Sequence, residues 1–434
     1  MRFFRFSFVL FSLACLIGCE KDPVVPTPQA QPFTVNLQND YSEIQSRFAV
    51  FLSSADGKLL AFRWLPGNDT ARVQAPGSSV NDRLDCTVVK ITTFEAPGTG
   101  IRDTTVELTT YTKILSGETI RLRDPEYRQV VDFRVNFTGM TTLDSIIVPD
   151  GQTFARPQAA NNFSGQYRVY HSGQVWVRVL ADGSPLWRYT LLDKVNAPSL
   201  TVSINVSQMT PIFAKPPKVK FPFVAPWQYK VDGIVDSAAK QFIPIGDLLR
   251  APGGAVPTFD QLTVVEPNPG DPQIPVALPY QLYRLTANGA SSGANAYHYY
   301  VDKIYKTLPE NAPVPDFDIS PTSLADKRSV AVQYTGTFDV LSLNWAHAGT
   351  PNVYWEVLAR PADGVVAYHL PEVPSELSAR YPPLLGYQFS GGVRVRAESY
   401  DQFTLFEAVV RQKLRNLDPL WQARAGYLAR EEVF

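Results

Sequence analysis

Histidine, cysteine and charge are all scarce in this chain of 434 residues. It has four histidines and three cysteines, and only 19% of its residues are charged, against a typical quarter. His171, His298, His347 and His369 never stand three or four residues apart, which excludes a helical zinc pair. Cys15, Cys19 and Cys86 form no Cys-x-x-Cys. There is no Walker A loop: Gly98-Thr99-Gly100 lacks both a third glycine and a following helix. Asp316-Phe317-Asp318 is too sparse for a calcium loop. The expectation is therefore no cofactor and no metal. Lys and Arg total 40 against 41 Asp and Glu, so the basic excess of a nucleic-acid binder is missing and no nucleic-acid partner is expected. After residue 18 no apolar stretch approaches the twenty residues that a membrane-spanning helix needs.

What the chain does contain is β-forming sequence. Apolar residues make up 45% of it, enough for a core, while 36 scattered prolines break long helices. In Val131-Asp132-Phe133-Arg134-Val135-Asn136-Phe137 apolar and polar residues alternate, which predicts a strand with one face in a core. Val393-Arg394-Val395-Arg396-Ala397-Glu398, Val106-Glu107-Leu108 and Leu341 to Trp345 repeat the pattern. Three segments share a strand, Ala-Asp-Gly, strand layout: around Asp56-Gly57, Asp182-Gly183 and Asp363-Gly364. Asp-Gly supplies the positive φ of tight hairpin turns, so the layout marks either tandem sandwiches or simply common hairpins. The fold class expected is all-β: tandem antiparallel β-sandwich domains, immunoglobulin-like or transthyretin-like, with very little helix. The units fall at 33–157, 164–326 with a Pro-rich insertion, and 327–434, with a polar break at Gln158 to Asn162. Asp418-Pro419 predicts one short helix through Arg430.

The N-terminus carries the most specific signal. Arg2 and Arg5 precede an apolar run from Phe6 to Ile17, and Leu16-Ile17-Gly18-Cys19 follows. These residues resemble the signal peptide and lipobox of bacterial lipoproteins. That resemblance covers the first nineteen residues alone and implies cleavage after residue 18 and acylation of Cys19. Glu20, Lys21 and Asp22 resemble the surface-export signal of Bacteroidota lipoproteins, implying a lipid anchor in the outer membrane, at the cell surface or on its periplasmic face. Acyl chains at about 0.8 kcal/mol per buried CH₂ would hold the protein there permanently. Residues 19–32 are Pro-rich and read as an extended tether. With Cys15 removed and Cys19 acylated, only Cys86 remains, so no intramolecular disulfide forms. Leu84, Cys86 and Val88 share the apolar face of a strand, with Asp85 and Thr87 on the other, so Cys86 reads as a buried, inert thiol.

Catalytic motifs are weak. Gly289-Ala290-Ser291-Ser292-Gly293 matches G-x-S-x-G, but the following Ala296 to Val301 is strand-like where a nucleophile elbow needs a helix. Ser291 with His298 is the one nucleophile pair that can be named, and the stretch reads better as a hairpin loop. Ser237-Ala238-Ala239-Lys240 matches S-x-x-K without the accompanying Ser-Asp-Asn or Lys-Thr-Gly. Phe434 is a barrel-like last residue, but Glu432, Arg430, Leu428 and Gly426 form no lipid-facing row. Four triplets, at Asp69-Thr70, Asp103-Thr104, Asp144-Ser145 and Asp236-Ser237, resemble O-glycosylation acceptors of Bacteroidota envelope proteins, which implies solvated loops. Tyr297, Tyr299 and Tyr300 are the candidate ligand-binding aromatics: an exposed row could stack on sugar rings, although tyrosine is also simply a favoured strand residue. The expected function is a non-catalytic, lipid-anchored envelope protein that binds a protein partner as a scaffold or in assembly. Glycan capture beside an outer-membrane transporter and an envelope hydrolase are the two alternatives.

Overall fold

A computed structural model describes residues 31–40, 46–95, 98, 102–122, 130–147, 163–170, 174–184, 188–193, 200–211, 218–226, 228–236, 241–244, 258–263, 282–290, 297–323, 328–362, 364–386, 392–403, 405–415 and 426–433. The signal peptide, Cys19, nearly all of the tether, the 158–162 break, Ser237 and Ser291 lie outside them. Strands dominate, as the alternation predicts, and the described α-helices are Ser375–Arg380, Pro383–Gly386 and Phe406–Arg415. No described helix is long and apolar enough to cross a membrane.

A twelve-stranded sheet forms the centre. From edge to edge its strands are Gln241–Pro244, Gln228–Asp236, Leu282–Ala290, His298–Tyr305, Tyr427–Val433, Arg394–Tyr400, Val340–His347, Asn352–Ala359, Arg102–Ile114, Leu84–Glu95, Ser46–Ser53 and Leu59–Leu65. All three stretches delimited in the sequence contribute to it. Neighbours are antiparallel except at one seam, where Asn352–Ala359 runs parallel to Arg102–Ile114. Two buried hydrogen bonds cross this seam: Trp355 Nε1 donates to Thr110 Oγ1 at 2.9 Å and Thr112 Oγ1 donates to the Leu358 carbonyl at 3.0 Å, while Thr110 also meets the Thr87 hydroxyl of the next strand at 2.8 Å.

Each face of this sheet has its own cover. On one side the three-stranded sheet Asp318–Ser323, Ser329–Thr335 and Val365–His369 packs Ile319, Val332 and Val366 onto Phe51, Val89, Leu108, Leu343, Trp345 and Trp355. On the other side lie Asp69–Ser79, Pro32–Asn39 and Thr119–Leu122, together with the helix Phe406–Arg415. They bury Phe33, Val35 and Val73, and Phe406, Val409 and Leu414, against Phe48, Val50, Cys86, Val88 and Leu358.

This double cover explains why Leu84–Glu95 is buried on both faces where its sequence reads as one-sided. Asp85 and Thr87 are as inaccessible as Cys86. Asp85 is tolerated because its carboxylate accepts the Lys113 N–H at 2.9 Å and the Tyr368 hydroxyl at 3.0 Å. Lys113 reaches it from a positive-φ position (+52°), beside a register shift in the ladder.

A smaller sandwich is built from residues 130–211. Phe163–Tyr170, Val130–Thr138 and Leu200–Asn205 form one sheet; Thr210–Pro211, Arg188–Asp193, Gln174–Ala181 and Leu143–Ile147 form the other. Val135, Phe137, Val177, Val179 and Ile204 fill the space between them.

Two of the three Asp-Gly segments are hairpins. Ser46–Ser53 pairs with Leu59–Leu65 around Gly57, and Gln174–Ala181 with Arg188–Asp193 around Asp182 and Gly183, both at positive φ. The third is not: Asn352–Ala359 and Val365–His369 belong to sheets on opposite sides of a core. The helix predicted from Asp418-Pro419 does not extend through Arg430; its start, Asp418 and Pro419, lies outside the described residues. Tyr427–Val433 is a strand, paired on both sides, because burial of Tyr427 and Ala429 in the central sheet outweighs the local capping signal. Among the described residues the longest helix is Phe406–Arg415, whose Phe406, Val409, Val410 and Leu414 make one apolar stripe.

Candidate functional site: a polar cleft on the central sheet

The second face of the central sheet is longer than its cover among the described residues. Thr119–Leu122 has four residues and the helix Phe406–Arg415 spans ten, about 15 Å, whereas Arg102–Ile114 beneath them has thirteen. Where cover is present, the strands point apolar side chains at it. Beyond it, the same face turns polar. In Leu84–Glu95 the change falls between Val88 and Lys90, and in Asn352–Ala359 between Leu358 and Glu356.

The uncovered part is the floor of a cleft of about 720 Å³. Its walls are Ile120, Arg121 and Leu122 on one side and Lys413 and Leu414 of the helix on the other. Its floor carries Lys90, Glu107, Tyr354, Glu356, Asn344, Arg394 and Arg396. The ladder registers place these in rows across the strands. Glu356 is opposite Asn344, and Asn344 opposite Arg394; Tyr354 lies between Glu107 and Ala346.

Most of the charges are tied to one another. Lys90 meets Glu107 at 3.6 Å, and Arg121 meets Asp40 at 2.7 Å. Arg396 pairs with the buried Glu431, which also accepts the Tyr300 hydroxyl at 3.3 Å. Burial opposes the charge on Arg396, yet Tyr427, Glu431 and Glu398 together hold it charged, above the usual arginine range. Lys413 donates to the buried Glu398 at 3.0 Å, and the Tyr400 hydroxyl donates at 2.7 Å. Burial pushes Glu398 towards its neutral form, but Lys413, Tyr400 and Arg396 outweigh it and lower its pKa.

Three groups are left available. Ser342 Oγ donates to Glu356 Oε1 at 2.8 Å and itself accepts from Asn344 Nδ2 at 2.9 Å, leaving Glu356 Oε2 for a ligand. Arg394 is 56% exposed and touches Glu431 only through Nε, at 3.6 Å. Tyr354 is 50% exposed. Volume, polar convergence and one open aromatic ring are the features of a preformed binding site.

The tyrosines named from sequence are arranged differently. Tyr299 is 0% exposed, and burial raises its hydroxyl pKa above the usual tyrosine range, so its ring offers no face to a ligand. Tyr300 is partly buried, with the Arg396 guanidinium 4.7 Å from its ring centre, and Arg430 sits 3.8 Å from the ring centre of Tyr297. Tyr300 reaches the rim of the charged network through Glu431 but makes no flat row with its neighbours. Cys86 is buried, and burial with the nearby Asp85 raises its thiol pKa. Thr70, Thr104 and Ser145 lie on strands, not loops. Among the described residues no group of three or more His, Cys, Asp and Glu side chains is placed to hold a metal ion.

The cleft residues had a signal in the sequence. Glu107, Asn344, and Arg394 with Arg396 sit in three of the alternating segments that identify strands. Their alternation says only that one face is polar; that three such faces converge is a property of the ladder order.

No family model matches this chain, and no curated protein matches it. Among solved structures, the tip fimbrial protein Mfa3 from Porphyromonas gingivalis, with a C-terminal truncation, is similar at 10% identity and a TM-score of 0.17. The match covers 39% of this chain and 83% of that one; at this TM-score it bears on neither fold nor function.

Proposed function

We propose that this chain is a non-catalytic envelope protein, held in the outer membrane by an acyl group on Cys19, that binds a partner through the cleft on its central sheet. The observation that carries the binding role is the cleft: most of its charges are fixed by their neighbours, and Glu356, Arg394 and Tyr354 remain accessible within it. A site of that kind holds a ligand in place without rearranging. The anchor rests on Arg2, Arg5, the apolar run and Leu16-Ile17-Gly18-Cys19. The tether and the β-sandwich body fit a protein that displays a site away from a membrane surface. The partner in this reading is another envelope protein, as in a cell-surface scaffold or assembly. Glycan capture is the second reading, favoured by the cleft's small volume and its mixed donors and acceptors.

Cys19→Ala tests the anchor: the variant should leave the membrane fraction, and equal retention in membranes would refute it. Mass spectrometry of what co-purifies with the detergent-extracted full-length protein tests the partner. A stoichiometric envelope protein supports assembly, whereas a transporter supports capture.

A further inference from the structure

We infer that the cleft binds a neutral oligosaccharide, with Tyr354 as its stacking platform and Glu356, Asn344 and Arg394 as its hydrogen-bonding row. This deepens the second reading above, glycan capture by the cleft, and rests on it.

The row has the chemistry that sugar hydroxyls need. Each hydroxyl both donates and accepts. Glu356 Oε2 is a pure acceptor, Arg394 presents terminal donors, and the Asn344 amide between them can offer both. These three stand on neighbouring strands in direct register, so the row spans two strand spacings, about 10 Å. That is a length along which two linked pyranose rings can lie. Tyr354 is two residues before Glu356 on the same strand face, about 7 Å away. It is half exposed, and its ladder neighbour on one side is the small Ala346, which leaves the ring uncovered there. An open aromatic ring beside planar polar groups suits the apolar face of a sugar and its equatorial hydroxyls together.

Charge argues against an anionic ligand. Five cations line the cleft, Lys90, Arg121, Arg394, Arg396 and Lys413, and all five face carboxylates: Glu107, Asp40, Glu431 for both Arg394 and Arg396, and Glu398. An anion would have to compete with carboxylates already in place and would meet the carboxylate of Glu356.

The test uses the full-length protein in detergent. The probes are α-1,4- and β-1,4-linked gluco-, xylo- and manno-hexaoses, with a galacturonic acid hexamer as the acidic counterpart, read by calorimetry. A neutral hexaose should bind, and both Tyr354→Ala and Arg394→Gln should weaken it about tenfold or more while leaving the melting temperature within a few degrees. The inference is overturned by three results: no neutral hexaose binding at millimolar concentration, binding that neither variant weakens, or preference for the acidic hexamer. Release of Cys19→Ala from membranes is scored separately. An anchored protein that binds no sugar defeats this inference alone, and a sugar-binding protein that Cys19→Ala leaves in membranes defeats the anchor alone.

Discussion

The two faces of the central sheet are built from the same strands and have opposite fates. In Asn352–Ala359, Val353, Trp355 and Val357 point to a face covered by a second sheet, and all are buried. Tyr354 and Glu356, on the alternate positions, point into the cleft; Tyr354 is half exposed and Glu356 is partly so. A strand alternates in any sheet, but whether its second face becomes core or cleft depends on how far the covering elements reach. Here the described cover is a four-residue strand and a ten-residue helix, both shorter than the thirteen-residue strand Arg102–Ile114.

The largest disturbance should come from the covered face. Trp355→Ala removes a fully buried ring that packs edge-on against Phe51 and donates to Thr110 across the parallel seam. A loss of about 3–5 kcal/mol in urea unfolding is expected. A loss under about 1 kcal/mol would mean that the seam contributes little to the fold.

Next comes the border between cover and cleft. Lys413→Met strands the buried Glu398 carboxylate without its cation, at a cost of about 3 kcal/mol at neutral pH. Glu398 has a lowered pKa in the folded protein, so in the parent its contribution is present above the ordinary carboxylate range and is lost on acidification. The gap between parent and variant in thermal unfolding should therefore narrow as the pH falls through the ordinary carboxylate range and below it.

Asp85 behaves in the opposite sense, on the fully covered face. Burial raises its pKa from 3.8 to about 6 despite the Lys113 and Tyr368 hydrogen bonds. The folded state then binds the proton more tightly than the unfolded one. Asp85 is harmless below about pH 4, and it weakens the fold as the pH rises through about 6. Asp85→Asn should shift relative stability towards the variant by roughly 2–3 kcal/mol between pH 4 and pH 7. A pH-independent difference between the two proteins would contradict a buried, titrating carboxyl.

The smallest effect on stability is expected in the cleft itself. Tyr354→Ala should change unfolding by about 0.5 kcal/mol or less, because the ring is half exposed. A large loss would show that this tyrosine supports the fold instead of facing a ligand.

Period-two alternation is a local property, and it was sufficient for what is local. Val131 to Phe137, Val106 to Leu108 and Val393 to Glu398 all read directly as strands. Asp56-Gly57 and Asp182-Gly183 read as turns because their backbone demands are met within a few residues. The burial of Cys86 followed from its place between Leu84 and Val88. The all-β class, with little helix, rests on the same pattern, and the proposed anchor at Cys19 rests on the N-terminal residues alone.

Only the tertiary structure decided which strands are neighbours. Trp355 meets Thr110 across a large stretch of intervening chain, and Tyr427–Val433 fills a slot between two distant strands where its own sequence suggested a helix. Tyr299 lost its candidacy because its ring is fully buried, while Tyr354 keeps an open ring beside the small Ala346. Glu356, Asn344 and Arg394 come from three strands, and nothing in their separate segments marks them as a set. Alternation specifies a side chain's face but not what lies above that face. That depends on the length and placement of covering elements, which long-range packing sets.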